Sequence, residues 1–253
     1  MWGRQLRELL PTGARLSDGL VRSRWTVAAD GINSGIRRTL GLDGRIRRQR
    51  VGLRRHYCIA PWSDLVEVWF ADGCEIYVTP VATDQICVVV LTDDPLQGFD
   101  RLLGRFPVLA RRLEGICMAS KEQGGASVFR RARGVVRGRV ALVGDAAVSV
   151  DAITGEGVSL GFHQAVALAG SLGRGGLDEY AHAHAGLVGV TIRMTRLLLA
   201  LDRRPRLRRL ALRILQREPS LFSNLLAVHT RELSLAQLGA RLFHLDRLGR
   251  THV

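Results

Sequence analysis

Two short stretches of this chain combine residue types and spacings that could do chemistry. The first is Ala29-Asp30-Gly31-Ile32-Asn33-Ser34-Gly35-Ile36-Arg37. It reads as the end of a strand, a tight turn at Asp30-Gly31, and the start of a helix that Ser34 can cap. The N-terminal amides of such a helix face an anion favourably. The second is Val140-Ala141-Leu142-Val143-Gly144-Asp145-Ala146-Ala147, followed by Gly155-Glu156-Gly157. A buried strand there delivers a carboxylate at its C-terminal end, which is where open α/β sheets bind ligands. Asp145 can accept hydrogen bonds from a polyol hydroxyl, and Ala146 and Ala147 keep the turn thin. Gly155 and Gly157 carry no Cβ, so their amides can approach a flat ring at the N-terminus of the next helix, an end that also stabilises negative charge on that ring. Taken singly, the first stretch reads as no more than a turn with a cap, whereas the second reads as a ligand-binding strand end in preference to a plain crossover with a glycine loop.

The elements that must position these stretches can be read from periodicity. Residues 3–10 read as a short helix ended by Pro11 and Gly13. Residues 14–30 read as a hairpin turning at Asp18-Gly19, with residues 20–29 as its second arm. A short helix follows through Arg37, Arg38 and Leu40. Residues 51–60, 65–71, 74–79 and 85–92 are rich in Val, Ile and aromatics and are broken at hairpin spacing, which predicts an antiparallel sheet. The pattern then predicts one helix over 97–114, a strand over 125–131, a buried strand over 139–143 and a helix over 157–172. The remainder reads as helical. Leu207, Leu210, Ala211, Ile214 and Leu215 follow the spacing of a stripe buried against a core, with arginines opposite.

Composition narrows the function classes. The 253 residues are 47% hydrophobic and 6% aromatic, enough for a real core built mostly of Leu, Val and Ala. The formal net charge is +14, yet Lys121 is the only lysine. A surface evolved to hold phosphates would use lysine as well as arginine, so no nucleic-acid partner is expected. The four cysteines, Cys58, Cys74, Cys87 and Cys117, form no CxxC pair, and the expectation is buried reduced thiols in a cytoplasmic protein, with no metal site. The opening Met1-Trp2-Gly3-Arg4-Gln5 has no apolar signal core, and no apolar run is expected to reach the length of a membrane span.

Together and in this order, the two stretches resemble the DG motif (ADGxxSxxR) and the GD motif (GDAA, then GxG) of class A FAD-dependent monooxygenases of the aromatic-hydroxylase type. The resemblance covers nearly all of 14–253. It implies an α/β, mixed α+β architecture: part of a glutathione-reductase-type FAD domain interleaved with an antiparallel-sheet substrate domain, plus C-terminal helices. The implied divisions are 1–44 with the DG motif, 45–131 for the substrate sheet and helix, 132–176 with the GD motif, and 177–253 as the helical region. The resemblance implies FAD as cofactor and NAD(P)H as electron donor, with oxygen transferred to a small organic substrate. The cofactor-binding set it implies is Asp30, Gly31, Ser34, Arg37, Gly144, Asp145, Ala146, Gly155, Glu156 and Gly157. Within it, Asp145 would bind the ribityl chain, Gly155 and Gly157 would face the isoalloxazine, Asp30 would lie near the pyrophosphate, and Arg37 would help place FAD or the nicotinamide.

The sequence also departs from that pattern. Val148 and Ala152 stand where many monooxygenases carry His and Pro, and position 148 is therefore expected to be permissive. The stretch Val150-Asp151-Ala152-Ile153-Thr154-Gly155-Glu156-Gly157 is similar to geranylgeranyl-reductase-like and halogenase-like flavoproteins, which makes alkene reduction or halogenation the alternatives to hydroxylation. No GxGxxG follows a strand, although the family carries that phosphate-binding unit at its N-terminus. On that pattern about a hundred residues of a mononucleotide-binding half are expected to lie outside the chain, or in a separately encoded partner. A remnant that binds no cofactor is the reading from another class, and a membrane-surface role for the arginine-rich helix 202–217 is a further one, less favoured than a solvated, core-packed helix. No catalytic residue is assigned. In the substrate sheet, His56 and Tyr57 are the polar candidates, and strand alternation allows only one of them on the ligand side.

Overall fold

The computed structural model describes residues 3–94, 96–234 and 236–240. The chain divides into two units, Met1–Thr195 and Arg196–Val253. The first opens with an antiparallel three-stranded meander, β1 (Leu6–Leu10), β2 (Gly13–Leu16) and β3 (Gly19–Arg22). The helix expected over 3–10 is therefore a strand. Leu, Arg and Glu are good helix formers, but a segment this short cannot sustain an isolated helix. The ladder from Leu10↔Gly13 to Leu6↔Leu16 satisfies its backbone instead. Gly13 is required here: its φ is 142°, and a Cβ would stand 1.9 Å from the Val21 carbonyl oxygen.

The hairpin arm expected over 20–29 splits in two. Its first half is β3; its second half is β4 (Thr26–Ala28), which leaves the meander and pairs in parallel with β11 (Val140–Leu142). β10 (Val136–Arg137) completes this sheet on the far side of β11. The two motif stretches thus leave the C-terminal ends of neighbouring parallel strands. Tyr180 locks the arrangement from below, donating from its hydroxyl to the Leu142 carbonyl at 2.7 Å, within a core that includes Ala28, Leu142, Leu168 and Leu177.

Most of a further sheet is inserted in the chain between β4 and β11, and its last strand follows β11. β5 (Ile46–Tyr57), β6 (Glu67–Ala71), β7 (Cys74–Ala82), β8 (Gln85–Thr92), β9 (Gln123–Arg131) and β12 (Val148–Ser149) form one sheet in the order β12-β9-β5-β8-β7-β6, antiparallel throughout. The four predicted strands over 51–92 are all present. The helix expected over 97–114 is two helices, α2 (Phe99–Leu103) and α3 (Pro107–Leu113), because Gly104 ends the first and Pro107 can only start the second. Strand alternation sorts the side chains. Ile76, Val78, Val88 and Val90 pack with Phe99, Leu102 and Leu109, while Val89 and Leu91 face the other way. Each large apolar side chain buried in this layer contributes about 1.5–3 kcal/mol.

α1 (Gly35–Thr39) follows the first motif and α4 (Gly157–Gly173) the second. α5 (Asp178–Asp202) is a 25-residue helix. Contrary to the expectation of no apolar run of spanning length, it is long and apolar enough to cross a membrane by length and composition, with a hydropathy of 1.3. Its polar residues Thr191, Thr195 and His184 are buried, a pattern also met in packed helices.

In the second unit, α6 (Pro205–Arg217) and α7 (Pro219–His229) follow the end of α5. α6 has no buried residue: Leu207 is 41%, Leu210 52% and Ile214 44% exposed. The stripe expected to pack on a core is therefore open among the described residues. Amphipathic spacing shows that a helix has an apolar face, not that the same chain covers it. The cysteine expectation also needs correction. Cys74 and Cys87 are buried, but Cys58 and Cys117 are exposed, because both lie beyond the sheet's packed face.

Candidate functional site

The first motif is built by capping. Ser34 accepts from the Arg37 amide at 2.9 Å, as its type and position predict, and Asp30 accepts from the Ile36 amide at 3.2 Å. Gly31 has φ 75°, the left-handed conformation that lets the chain reverse between β4 and α1. Arg37 is the pivot. Only 1% exposed, it donates to Ile32 O at 2.7 Å, Ala146 O at 3.0 Å and Asp145 O at 3.4 Å, and pairs with Asp43 at 2.7 Å. One guanidinium thereby ties the first motif loop to the second. The same contact holds the Asp43 carboxyl below its usual range, chiefly through the Arg37 hydrogen bond. The guanidinium of Arg37, expected to help place a cofactor, is engaged by these protein oxygens.

The second motif begins at Gly144, whose φ of 62° turns the chain out of β11. Its amide donates at 2.7 Å to Oε1 of Gln164, a side chain with no exposed surface. Gln164 fixes the turn that presents Asp145, and sequence reading missed it. A lone Gln between buried Leu160 and Leu168 on an apolar helix face was the available signal. Asp145 itself stands exposed at the turn, while neighbouring atoms strip enough water from it to push its carboxyl above the ordinary range. Ala146 is fully buried beneath it.

The loop from Ser149 to Gly157 is held from underneath by charge. Arg50, 1% exposed, contacts Asp151 at 3.1 Å and the Glu75 carboxylate, both without exposed surface, and reaches Asp93 at 3.7 Å. The Tyr77 hydroxyl lies 3.2 Å from Glu75 and 3.1 Å from the Ile153 carbonyl. Burial, then the Glu75 charge, raises its pKa. Asp151 also accepts from Ile153 N at 3.1 Å, and Ser127 accepts from Ala152 N at 2.9 Å. No short sequence motif announces this network, because its members are strands apart.

Parts of both motifs border one cleft of about 530 Å³; of the expected site residues Asp145, Gly155 and Gly157 line it, whereas Asp30, Gly31, Ser34, Arg37, Gly144, Ala146 and Glu156 do not. On one side are Ile32, Asp145, Gly155 and Gly157; on the other are Gly52, Arg54, Val89, Leu91 and the 123–128 stretch of β9. A Cβ at Gly144, Gly155 or Gly157 would meet no atom within 4 Å, so the glycine edge faces open space. Glu156, at the N-cap of α4, makes no side-chain cap, and the first amides of that helix are left toward the cleft rim. Of the two polar candidates in the six-stranded sheet, Tyr57 is buried in the helix-side core. His56 shares the face of Gly52 and Arg54 but contacts Ser120 at 3.0 Å rather than lining the cleft. Among the described residues no group of His, Cys, Asp and Glu is placed to hold a metal ion.

No family model matches this sequence, and no curated protein matches it. Solved structures do. The flavin-dependent brominase Bmp2 superposes with a TM-score of 0.74 at 18% identity, over 90% of this chain and 64% of its own. HpxO of Klebsiella pneumoniae, complexed with FAD and uric acid, gives 0.72 at 19% identity over 89% and 65%. The anhydrotetracycline hydroxylase OxyS of Streptomyces rimosus gives 0.65 at 21% over 90% and 51%. The chain therefore has the fold shared by FAD-dependent monooxygenases and flavin-dependent halogenases, as the motif resemblance implied. It spans just under two thirds of the length of the first two of these structures.

Proposed function

We propose that this chain forms the ring-side and substrate-side part of an FAD-dependent oxidoreductase, in its most concrete form an NAD(P)H-dependent monooxygenase acting on a small organic substrate. The observation that carries the reading is the single cleft in which Asp145, Gly155 and Gly157 face the open sheet of the substrate layer. The residues present fit a flavin: glycines leave room for a flat ring, and an exposed carboxylate sits at the rim where a polyol chain can donate to it. In this reading residues 1–44 and 132–176 form the cofactor side, 45–131 the substrate side and 177–253 a helical region.

Asp145 accepts hydrogen bonds from the ribityl hydroxyls. The amides of Glu156 and Gly157 at the start of α4 would stabilise negative charge on the ring, while the Gly155 amide is taken by the Ala152 carbonyl at 3.0 Å. Asp30, Gly31 and Ser34 shape a turn that would hold the pyrophosphate, and Gly144 and Ala146 shape a turn that would support the ribityl chain. Arg37 acts through the loops, holding the two turns in register by the carbonyls it binds. The flavin, when bound, supplies the electron transfer that the protein positions. Arg54 is the charged side chain of the substrate face, suited to an anionic or strongly polar group on the substrate.

The pyrophosphate and adenosine contacts would come from a polypeptide bearing a strand–GxGxxG–helix unit. Two features support such a partner. β4 pairs only with β11 among the described residues, and α4 exposes Val158 (73%), Phe162 (69%) and Val166 (74%) on one stripe. Co-expression with a separately encoded polypeptide of this kind is expected to give a complex that holds FAD, oxidises NADH or NADPH and takes up oxygen. A complex that holds FAD but accepts electrons from neither nicotinamide would remove the monooxygenase reading. Alkene reduction or halogenation would then be the reactions to assay, the latter with the brominase likeness behind it.

A further inference from the structure

Two thiols outside the cleft are placed for chemistry of their own. Cys58 follows β5, and Cys117 follows α3. The two segments run antiparallel: the Cys58 amide donates to Cys117 O at 2.9 Å, the Ala119 amide donates to His56 O at 2.9 Å, and Tyr57 pairs with Met118. This register sets Cys58 directly opposite Cys117 as a hydrogen-bonded pair. In such pairs the Cα atoms lie about 5.5 Å apart, inside the roughly 4.4–6.8 Å that a disulfide spans. The sulfur atoms are 2.9 Å apart, and both residues are exposed. Cys74 and Cys87, by contrast, are buried within the substrate sheet.

We propose that Cys58 and Cys117 are a redox-active dithiol that closes to a disulfide on exposure to a peroxide and reopens with a thiol reductant. One thiolate attacks the peroxide O–O bond, giving a sulfenic acid and, for hydrogen peroxide, a water molecule. The second thiol attacks the sulfenic sulfur, the S–S bond forms, and a second water leaves. Overall two thiols and hydrogen peroxide give one disulfide and two waters; the sulfurs lose two electrons and the peroxide gains them. Reopening consumes two small-molecule thiols and releases their disulfide. In the resting state the Cys58 thiol is held above its usual pKa, chiefly by its hydrogen bond with Cys117, with Asp84 adding to the effect. The bond would tie the end of β5 to the segment after α3 across a sequence separation of 59 residues, enclosing β6, β7, β8, α2 and α3.

The full chain, reduced and then treated with hydrogen peroxide without denaturant, tests this. Thiol titration should fall from four to two, and the intact mass should drop by two hydrogen atoms. Digestion without reductant should yield a Cys58–Cys117 cross-linked peptide that dithiothreitol separates. Cys74 and Cys87 should stay free. Closing so long a loop is expected to raise the melting temperature by roughly 5 °C. Cys58→Ser and Cys117→Ser should fold with unchanged circular dichroism. Each should instead leave one thiol that takes up a single glutathione from oxidised glutathione, with no melting shift on peroxide treatment. Independent oxidation of Cys58 and Cys117 to separate sulfinic acids in the unsubstituted chain would overturn the proposal. So would loss of all four thiols at one rate.

Discussion

At the scale of single residues, the reading rests on Asp145 and on Gly155 and Gly157, which border the same side of the cleft. Losing one charge-assisted hydrogen bond costs about 1.5–3 kcal/mol, so Asp145→Ala should weaken flavin binding roughly ten- to a hundredfold. Fluorescence quenching of a flavin titrated into each protein measures it. Gly157→Val and Val148→His separate the cleft from the core. A Cβ at position 157 meets no atom within 4 Å, so Gly157→Val should keep the melting temperature near that of the parent while losing flavin. Val148 is 2% exposed and packs with Val150, Leu160, Val188 and Ile192. The permissive position that family comparison suggested is thus a core position, and Val148→His should destabilise the fold by about 2 kcal/mol or more. Denaturant titration of both variants decides it; equal stability losses would reject the geometry. Asp145 was legible in the sequence because a carboxylate directly after a buried strand is a local pattern. Gln164 was not, because its partner Gly144 is 20 residues away and helix spacing does not reveal hydrogen bonds.

At the scale of elements, the parallel pairing of β4 with β11 is what brings the motifs together, and Arg37 is what locks them. Arg37→Met should leave the Ile32, Asp145 and Ala146 carbonyls short of a buried donor, at a cost of about 3 kcal/mol in stability, and should weaken flavin binding beyond that of the destabilised fold. Urea unfolding together with flavin titration at a temperature where the variant is folded separates the two effects. Strands rich in Val and Ile and broken at hairpin spacing, such as β7 and β8, were readable from the sequence. β1 was not, since Leu6-Arg7-Glu8-Leu9-Leu10 suits a helix until β2 offers it a ladder. The split of 97–114 was signalled by Gly104 and Pro107, which outweigh a continuous apolar pattern. The stripe of α6 was read as amphipathic and covered, yet no described residue covers it; periodicity carries no information about the covering partner.

At the scale of the whole molecule, stability should depend on pH through His184. Burial first, and Arg131 second, lowers its pKa to about 4, against 6.5 for an exposed imidazole. The unfolded chain then binds a proton that the folded chain refuses. Stability is complete above about pH 6.5 and declines as the pH falls toward 4, by about 3 kcal/mol for a shift of this size. His184→Gln should flatten that part of the profile in denaturant titrations between pH 7 and 4.5. The measurement that tests the central claim most directly compares riboflavin with FAD as ligands of the full chain. In the proposed reading the cleft would supply contacts for the ring and ribityl chain, while the sequence holds no GxGxxG unit for the adenosine half. The two flavins should therefore bind weakly and within about threefold of each other, a gap under 1 kcal/mol. Failure of both to bind at millimolar concentration would contradict a flavin site here, and tight, stoichiometric FAD binding would contradict the need for a second half.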